Sequence, residues 1–93
     1  MQDAEFERDD AKAALNWLKH RVAFEQARRV FQDTSAIERA DAEHSDAEEH
    51  SVTIGTVDGR LLVVVWTQRG GRTRIISARR AEPHERRRYH NED

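Results

Sequence analysis

The sequence predicts a single α+β domain over residues 1–93, with two N-terminal helices, an antiparallel β-meander and a C-terminal helix. Three observations predict it. In the first third of the chain, apolar residues recur at three- and four-residue spacing, as they do along one face of a helix. In the second half the spacing becomes that of strands, interrupted by two glycine turns. A proline near the C-terminus fits the first turn of a final helix.

The first helix is predicted to begin at Asp9 or Asp10, either of which can cap it, and to end near Lys19-His20-Arg21. Cations at that end interact favourably with the helix dipole. The second helix is expected over roughly residues 24–31. The apolar stripe of the first helix is Ala11, Ala14, Leu15 and Leu18, and that of the second is Phe24, Ala27, Val30 and Phe31.

Two weak strands are predicted in the first half of the chain. Residues 4–7, which contain Phe6, are compatible with a short edge strand, and residues 36–39 with another. The stretch from Gln32 to Glu49 is otherwise polar and acidic, so we expect an exposed loop after the second of these strands.

The second half predicts the meander. Asp58-Gly59 is a strong signal for a two-residue hairpin, and Gly70-Gly71 marks the next turn. Residues 61–66 are all apolar, as expected of a central strand covered on both faces. Residues 72–79 form the returning strand, and strict alternation would place Ile75, Ser77 and Arg79 on one face with Thr73. Pro83 begins the final helix, which runs through Glu85 and Tyr89.

Charge is divided unequally between the two halves. Residues 1–51 contain 7 Lys/Arg and 13 Asp/Glu, whereas residues 52–93 contain 9 Arg, no Lys and 5 Asp/Glu. Guanidinium groups bind phosphate or carboxylate oxygens two at a time. These arginines therefore indicate either an external anionic partner or ion pairs with the acidic half of the same chain.

Composition excludes several classes of protein. There is no cysteine, which excludes a disulfide framework and thiolate zinc sites. No apolar run approaches the ~20 residues that span a bilayer, and the polar N-terminus is unlike a signal peptide. We therefore expect a cytoplasmic protein that does not contact membranes. Leu, Ile, Val and Phe number 18, so the predicted core is small.

Several stretches, in the same order and with similar spacing, resemble the BrnT toxins of bacterial type II toxin–antitoxin systems. They are Phe6-Glu7 with Asp9, Lys12-Ala13-Ala14-Leu15-Asn16-Trp17 with Lys19-His20, Val22 and Phe24, Asp41 with His44-Ser45, Ile54-Gly55, Arg60-Leu61-Leu62-Val63-Val64-Val65 with Thr67 and Arg69, Arg74-Ile75-Ile76-Ser77-Ala78-Arg79-Arg80-Ala81, and Glu85-Arg86-Arg87 with Tyr89. The resemblance implies a RelE-like ribonuclease fold and growth arrest through RNA cleavage. It also implies neutralisation by a BrnA-like ribbon–helix–helix antitoxin, through which any DNA contact would be made.

Four positions depart from the family pattern. Arg21 replaces the usual glycine after Lys-His, which costs about 1 kcal/mol if that residue is left-handed. Ala23 replaces a capping serine, at a cost of about 1 kcal/mol. Arg8 stands where tryptophan is usual, and Glu49-His50 where Glu-Arg is usual. The first two changes affect the joint between the helices, next to Lys19 and His20.

Cleavage of RNA by attack of a 2′-hydroxyl requires a base, an acid and cations for the extra phosphate charge. Arginine does not exchange protons usefully, so it is predicted to stabilise charge. The RelE-like analogy and the matched stretches indicate two sets of residues: Arg79, His20, Lys19 and Tyr89 as catalytic, and Arg69, Arg74 and Arg80 as phosphate ligands. The identity of the base and the acid stays open, because the residue types that could act are His20, His44, His50, His84, His90, Tyr89 and a carboxylate such as Glu49. The alternatives are ion pairs within the protein for the arginines and an exposed helix-capping imidazole for His20.

No metal or other cofactor is predicted. The acidic stretch that contains Asp41, His44 and His50 has suitable ligand types but no tight metal spacing. Trp17, Phe24 and Phe31 are assigned to the core rather than to a base-stacking surface. An alternative function is a partner-binding module of the toxin–antitoxin complex with weak or lost catalysis, and a DNA-binding protein in its own right is the third possibility.

Overall fold

A computed structural model describes residues 6–41 and 49–91 and has the predicted α+β architecture. One five-stranded sheet is packed with three α-helices and one 3-10 helix. In chain order the elements are β1 (Phe6–Glu7), α1 (Asp10–His20), α2 (Phe24–Ala27), the 3-10 helix (Arg28–Gln32), β2 (Ile37–Asp41), β3 (His50–Val57), β4 (Arg60–Arg69), β5 (Arg72–Arg80) and α3 (Pro83–Tyr89).

The sheet has the strand order β1-β5-β4-β3-β2. Strands β3 to β5 form the predicted antiparallel meander. The strand predicted at residues 36–39 is present as β2 and pairs antiparallel with β3, and β1 adds a short parallel edge strand, so the sheet is mixed. Both predicted hairpins are confirmed. Asp58 and Gly59 have φ of 52° and 79°, and Gly70 and Gly71 have φ of 58° and 79°, as type I′ turns require.

The central strand β4 is covered on both faces, as its apolar run predicts. On one face, α1, α2 and the 3-10 helix enclose the main core around Leu62 and Val64. Phe31 lies there between Phe6 and Trp66, with ring centroids 5.6 and 5.4 Å away. On the other face, Tyr89 of α3 packs against a smaller cluster that contains Val63. Because α3 is short, it leaves part of this second face uncovered.

Helix α1 has its apolar stripe turned away from the core. Leu15 and Leu18 are 65% and 68% exposed, and Trp17 is 46% exposed, so the assignment of Trp17 to the core was wrong. The residue that α1 buries is Asn16. Its Nδ2 donates to Val22 O (2.9 Å) and Ala78 O (2.8 Å), and its Oδ1 accepts from Ala78 N (3.0 Å). These bonds hold α1 on the edge of β5 that the short β1 leaves open.

At the joint between α1 and α2, the backbone geometry is the one in which Arg21 and Ala23, in place of the family's glycine and serine, lower the stability of the protein. Asp9 caps α1 through Ala11 N and Lys12 N, as predicted. At the other end, Arg21 is left-handed, with φ 58° and ψ 34°. Ala23 occupies the N-cap of α2 without a side-chain bond, and α2 continues only to Ala27 before the 3-10 helix begins. The predicted second helix is therefore present but divided.

A β-bulge changes which side chains of β5 share a face. Val65 is paired with Ser77 and Trp66 with Ile75, so Ile76 is the extra residue. Ile75 packs with Ala78 in the main core. The predicted face shared by Ile75, Ser77 and Arg79 was therefore wrong, because strict alternation does not continue through a bulge.

Candidate functional site

A groove of ≈600 Å³ crosses the part of the sheet that α3 leaves uncovered. Its apolar floor includes Val52, Val63 and Val65 from the two central strands. The bulge places Ser77 and Arg79 along the β5 side. The opposite side is formed by β2 and the start of β3, with Arg39, Asp41 and His50. An apolar floor between polar sides that include two arginines suits a chain with flat aromatic bases and an anionic backbone.

Arg79 is held in place by Glu85 of α3. Its Nη1 donates to Glu85 Oε1 at 2.7 Å and its Nη2 to Oε2 at 2.8 Å. Nη1 also donates to the carbonyl of Arg80 at 3.2 Å. The Glu85 side chain is 6% exposed and that of Arg79 36%. The arginine holds the pKa of Glu85 below its usual range, so this carboxylate is charged and the pair is formed at neutral pH.

The pairing leaves one edge of Arg79 available. A guanidinium has five N–H donors, and the bonds to Glu85 and Arg80 use three of them. The remaining two are Nε–H and one hydrogen of Nη2, which lie side by side and match two oxygens of a phosphate or carboxylate. Because Glu85 is hydrogen-bonded to the other edge, the orientation of the available edge is fixed before a ligand binds.

Three of the four predicted catalytic residues lie near one another. Lys19 and His20 end α1, which packs against β5 through Asn16 and Ala78. Burial lowers the pKa of His20, and the positive charges of Lys19 and Arg79 lower it further. The imidazole is therefore mainly neutral at pH 7, the form that accepts a proton.

Tyr89, the fourth, is engaged elsewhere. Its hydroxyl donates to Asp33 Oδ2 at 2.6 Å, and that oxygen also accepts from Thr56 N (2.8 Å) and Thr56 Oγ1 (3.0 Å). These donors, with the backbone N–H of Ser35, lower the pKa of Asp33 to about 2. The observed role of the tyrosine is to fasten α3, and with it Glu85, to the sheet.

The predicted phosphate ligands have different environments. Arg74 is paired with Thr67 of β4 and Glu7 of β1, on the face of the sheet opposite to the main core. It forms ion pairs with Glu7 (3.1 Å) and Asp9 (3.6 Å), and its side chain is 20% exposed. Arg69 is exposed at the far hairpin, six residues along β4 from the partner of Arg79, which is about 20 Å if the strand rises about 3.3 Å per residue. Arg80 is exposed and forms no ion pair within the described ranges. Of the three, Arg80 is the residue next to Arg79, but its pairing with Leu62 of the main core places it on the helix face of the sheet, opposite to the groove.

Sequence reasoning missed a basic surface on α3. Glu85 and Tyr89 face the sheet, so the three residues between them, Arg86, Arg87 and Arg88, face solvent. None of the three pairs with an acid in the part of the chain described. The signal was present as a run of arginines between two residues one helical turn apart.

Metal-ligating groups come together at one place within residues 6–41 and 49–91. Ligand atoms of Glu82, His84 and Glu85 lie within 4.8 Å of one another. Both oxygens of Glu85 already accept from Arg79, so an ion there would compete with that pair. His44 lies outside the described residues, as does most of the acidic stretch considered for a metal. No described helix is long and apolar enough to cross a bilayer.

Comparison with known families adds to this geometry. A family model described as the ribonuclease toxin BrnT of type II toxin–antitoxin systems matches residues 9–85. The matched segment begins at the cap of α1, ends at Glu85, and includes Lys19, His20 and Arg79. No curated protein matches the chain.

Proposed function

This chain belongs to the BrnT family of ribonuclease toxins of type II toxin–antitoxin systems, and on that basis we propose that it cuts RNA internally and so arrests growth. The substrate would lie in the groove across the uncovered sheet face. The observation that supports this best is the available edge of Arg79, fixed by Glu85 on the side of the groove and close to a neutral histidine.

Each group has a distinct part in the proposed reaction. Neutral His20 accepts the proton of a 2′-hydroxyl as its oxygen attacks the adjacent phosphorus. Arg79 and Lys19 stabilise the additional negative charge on the phosphate oxygens. The bond from phosphorus to the 5′-oxygen of the next nucleotide then breaks. That oxygen takes a proton from water, and the protonated His20 returns its proton to the solvent. The products are a 2′,3′-cyclic phosphate and a 5′-hydroxyl, and no metal ion is required.

The basic residues around this centre would hold the rest of the RNA. Arg80 and the arginines of α3 face solvent and would bind phosphates sequence-independently. Arg69 would contact the backbone at the far hairpin. Arg74 as a phosphate ligand and Tyr89 as a catalytic group stay predictions, and both would have to release their present acidic partners.

The cellular setting follows from the same proposal. The toxin would act in the cytoplasm, where its RNA substrate is. Its type II family implies a cognate protein antitoxin. We propose that this antitoxin is a BrnA-like ribbon–helix–helix protein, and that the complex contacts DNA only through it.

Cleavage of RNA by purified variants tests the proposal. Arg79→Ala should lower the rate at least 100-fold, because it removes a charge that acts in the transition state. Arg29→Ala is a matched control, since Arg29 also forms a two-bond pair, with Asp58 at 2.8 and 3.0 Å, but neither of these residues lines the groove. An Arg79→Ala enzyme with wild-type activity would remove Arg79 from the site.

The pH dependence tests His20. A base works only when deprotonated, so activity should fall as the pH drops through the pKa of His20. Because that pKa is lowered, the midpoint of the acid limb should lie below 6.5. His20→Gln should abolish this limb, and activity in EDTA should equal that without it. A midpoint above 6.5, or an unchanged profile in His20→Gln, would contradict the assignment.

A second candidate function is a partner-binding module with weak or lost catalysis. It is favoured by the pairing of Arg79 with Glu85, which cancels the charge of the central arginine. Intact RNA at high protein concentration, together with tight binding of the antitoxin, would support this second function over the first.

A further inference from the structure

The feature left unexplained by RNA cleavage is the outward face of α1. Leu15, Leu18 and Trp17 are the exposed large apolar residues of the described chain, and all three are on this helix. The stripe that faces solvent consists of Ala11, Ala14, Leu15 and Leu18. Contiguous exposed apolar residues, unlike apolar residues scattered singly over a surface, are typical of interaction sites.

The orientation of this stripe is fixed by the fold. Asn16 makes three buried hydrogen bonds to Val22 and Ala78, and it lies on the side of the helix opposite to Leu18. Rotating α1 to bury the leucines would leave these polar groups without partners in the interior. The leucines therefore stay exposed in the isolated chain and are available to another surface.

The border of the stripe is positively charged. Lys12 and Lys19 lie one turn to either side of Leu15, on the same flank. On the other flank, the guanidinium of Arg21 lies 5.6 Å from the centre of the Trp17 ring. The acid of this helix, Asp10, is paired with Arg8. A partner that covers the stripe must therefore present apolar side chains between acidic ones.

The geometry points to one occupant, and this inference rests on the proposed toxin function. We propose that α1 docks an amphipathic helix of the antitoxin whose apolar side chains lie between Asp and Glu residues. Helix α1 has 11 residues and is about 16 Å long, enough to pair with three turns of a partner helix. A second copy of this chain fits less well, because pairing two α1 faces would bring their cationic borders together.

The docking surface is tested by measuring, with calorimetry, how tightly this protein binds the proposed antitoxin. The probe is the purified protein encoded by the gene next to that of this chain. The double variant Leu15→Glu/Leu18→Glu should raise the dissociation constant at least 100-fold, because two apolar contacts are replaced by charges that repel an acidic helix. Lys12→Glu should weaken it about tenfold, more strongly at low salt. Arg60→Glu, an exposed cation on β4, is the charge control and should change binding less than twofold.

Growth assays separate this proposal from the proposed activity. The double leucine variant should arrest growth as wild type does when expressed alone, but the antitoxin should no longer rescue the cells. Far-UV circular dichroism and the melting temperature establish that the variant is folded, as substitutions at exposed positions should be.

Three results would overturn the docking surface. The first is wild-type affinity in the double variant, and the second is failure of the wild-type chain to bind the probe. The third is self-association of the wild-type chain that is lost in the double variant. Should the wild-type chain cut no RNA, the proposed activity fails, but the affinity comparison still decides whether α1 is the docking surface.

Discussion

Replacing Asn16 with alanine should destabilise the protein severely, because this one side chain fastens α1 to the sheet. Its amide makes three hydrogen bonds of 2.8 to 3.0 Å and is 5% exposed. Each bond contributes about 1 kcal/mol net. The substitution also leaves the N–H and C=O of Ala78 and the C=O of Val22 buried without these partners, which adds further cost.

The expected loss is about 3–5 kcal/mol. A domain of 93 residues typically has a total free energy of unfolding of about 5–14 kcal/mol, so the variant should lose about a fifth or more of its stability. For this size, 1 kcal/mol corresponds to roughly 4–8 °C, and the melting temperature should fall by at least about 12 °C. Urea unfolding followed by circular dichroism measures the free energy directly.

Two further variants make this result specific. Leu15→Ala, one residue away but 65% exposed, should change the free energy of unfolding by no more than about 0.5 kcal/mol. Asn16→Asp keeps the acceptor for Ala78 N but directs negative charge at two carbonyl oxygens, so it should be at least as harmful as alanine. A loss below 1 kcal/mol in Asn16→Ala would refute the reasoning.

Three other substitutions test separate parts of the fold by thermal or urea unfolding. Arg21→Gly should raise the free energy of unfolding by about 1 kcal/mol, since φ of 58° is unstrained for glycine, and an unchanged stability would contradict this. Gly55→Ala should destabilise the protein by about 1–3 kcal/mol, because a Cβ there would lie 2.6 Å from Val30 Cγ2; a neutral effect would show that the 3-10 helix moves easily. The carboxylate of Asp33 has a pKa of about 2, so its stabilisation is present above its unfolded pKa of about 4 and is lost as pH falls towards 2. Tyr89→Phe removes the main cause of that pKa shift, so the free energy of unfolding should depend less on pH between 4 and 2 than it does in the wild type. The same pH dependence in both proteins would exclude the hydrogen bond from Tyr89 as the cause.

The sequence predicted the elements well because each depends on local chemistry. Asp9 caps α1, Asp58-Gly59 and Gly70-Gly71 form type I′ turns, and Pro83 begins α3. The apolar run of β4 is covered on both faces as expected. In each of these cases a side chain or a backbone preference acts within a few residues, so neighbours in sequence are sufficient evidence.

The errors arose where contacts between distant residues decide the outcome. Asn16 is turned inward by Ala78, 62 residues away, and this reverses the orientation that the apolar stripe of α1 would favour alone. The bulge at Ile76 appears only when β5 is paired with β4, so alternation along β5 could not reveal that Ile75 faces the main core while Ser77 and Arg79 face the groove.

The candidate site was predicted in part for the same reason. Residue types indicated that arginine would stabilise charge and histidine exchange protons, and Lys19, His20 and Arg79 are indeed close in space. Pairing partners depend on the fold, and the sequence did not indicate that Glu85 would hold Arg79 while Glu7 and Asp9 take Arg74. Because Glu85 alone forms the close ion pair with Arg79, one edge of that guanidinium is fixed in orientation and available.

Cleavage of a defined RNA with a single 2′-deoxy substitution is the most direct test of the account. The purified protein is first used to map a cut site, and the nucleotide on the 5′ side of that site is then replaced by its 2′-deoxy form. Attack by the 2′-hydroxyl predicts a 2′,3′-cyclic phosphate on the original RNA and no cut at that site in the substituted one. Equal cleavage of both RNAs, or no cleavage of either, would contradict a ribonuclease that works through His20 and Arg79.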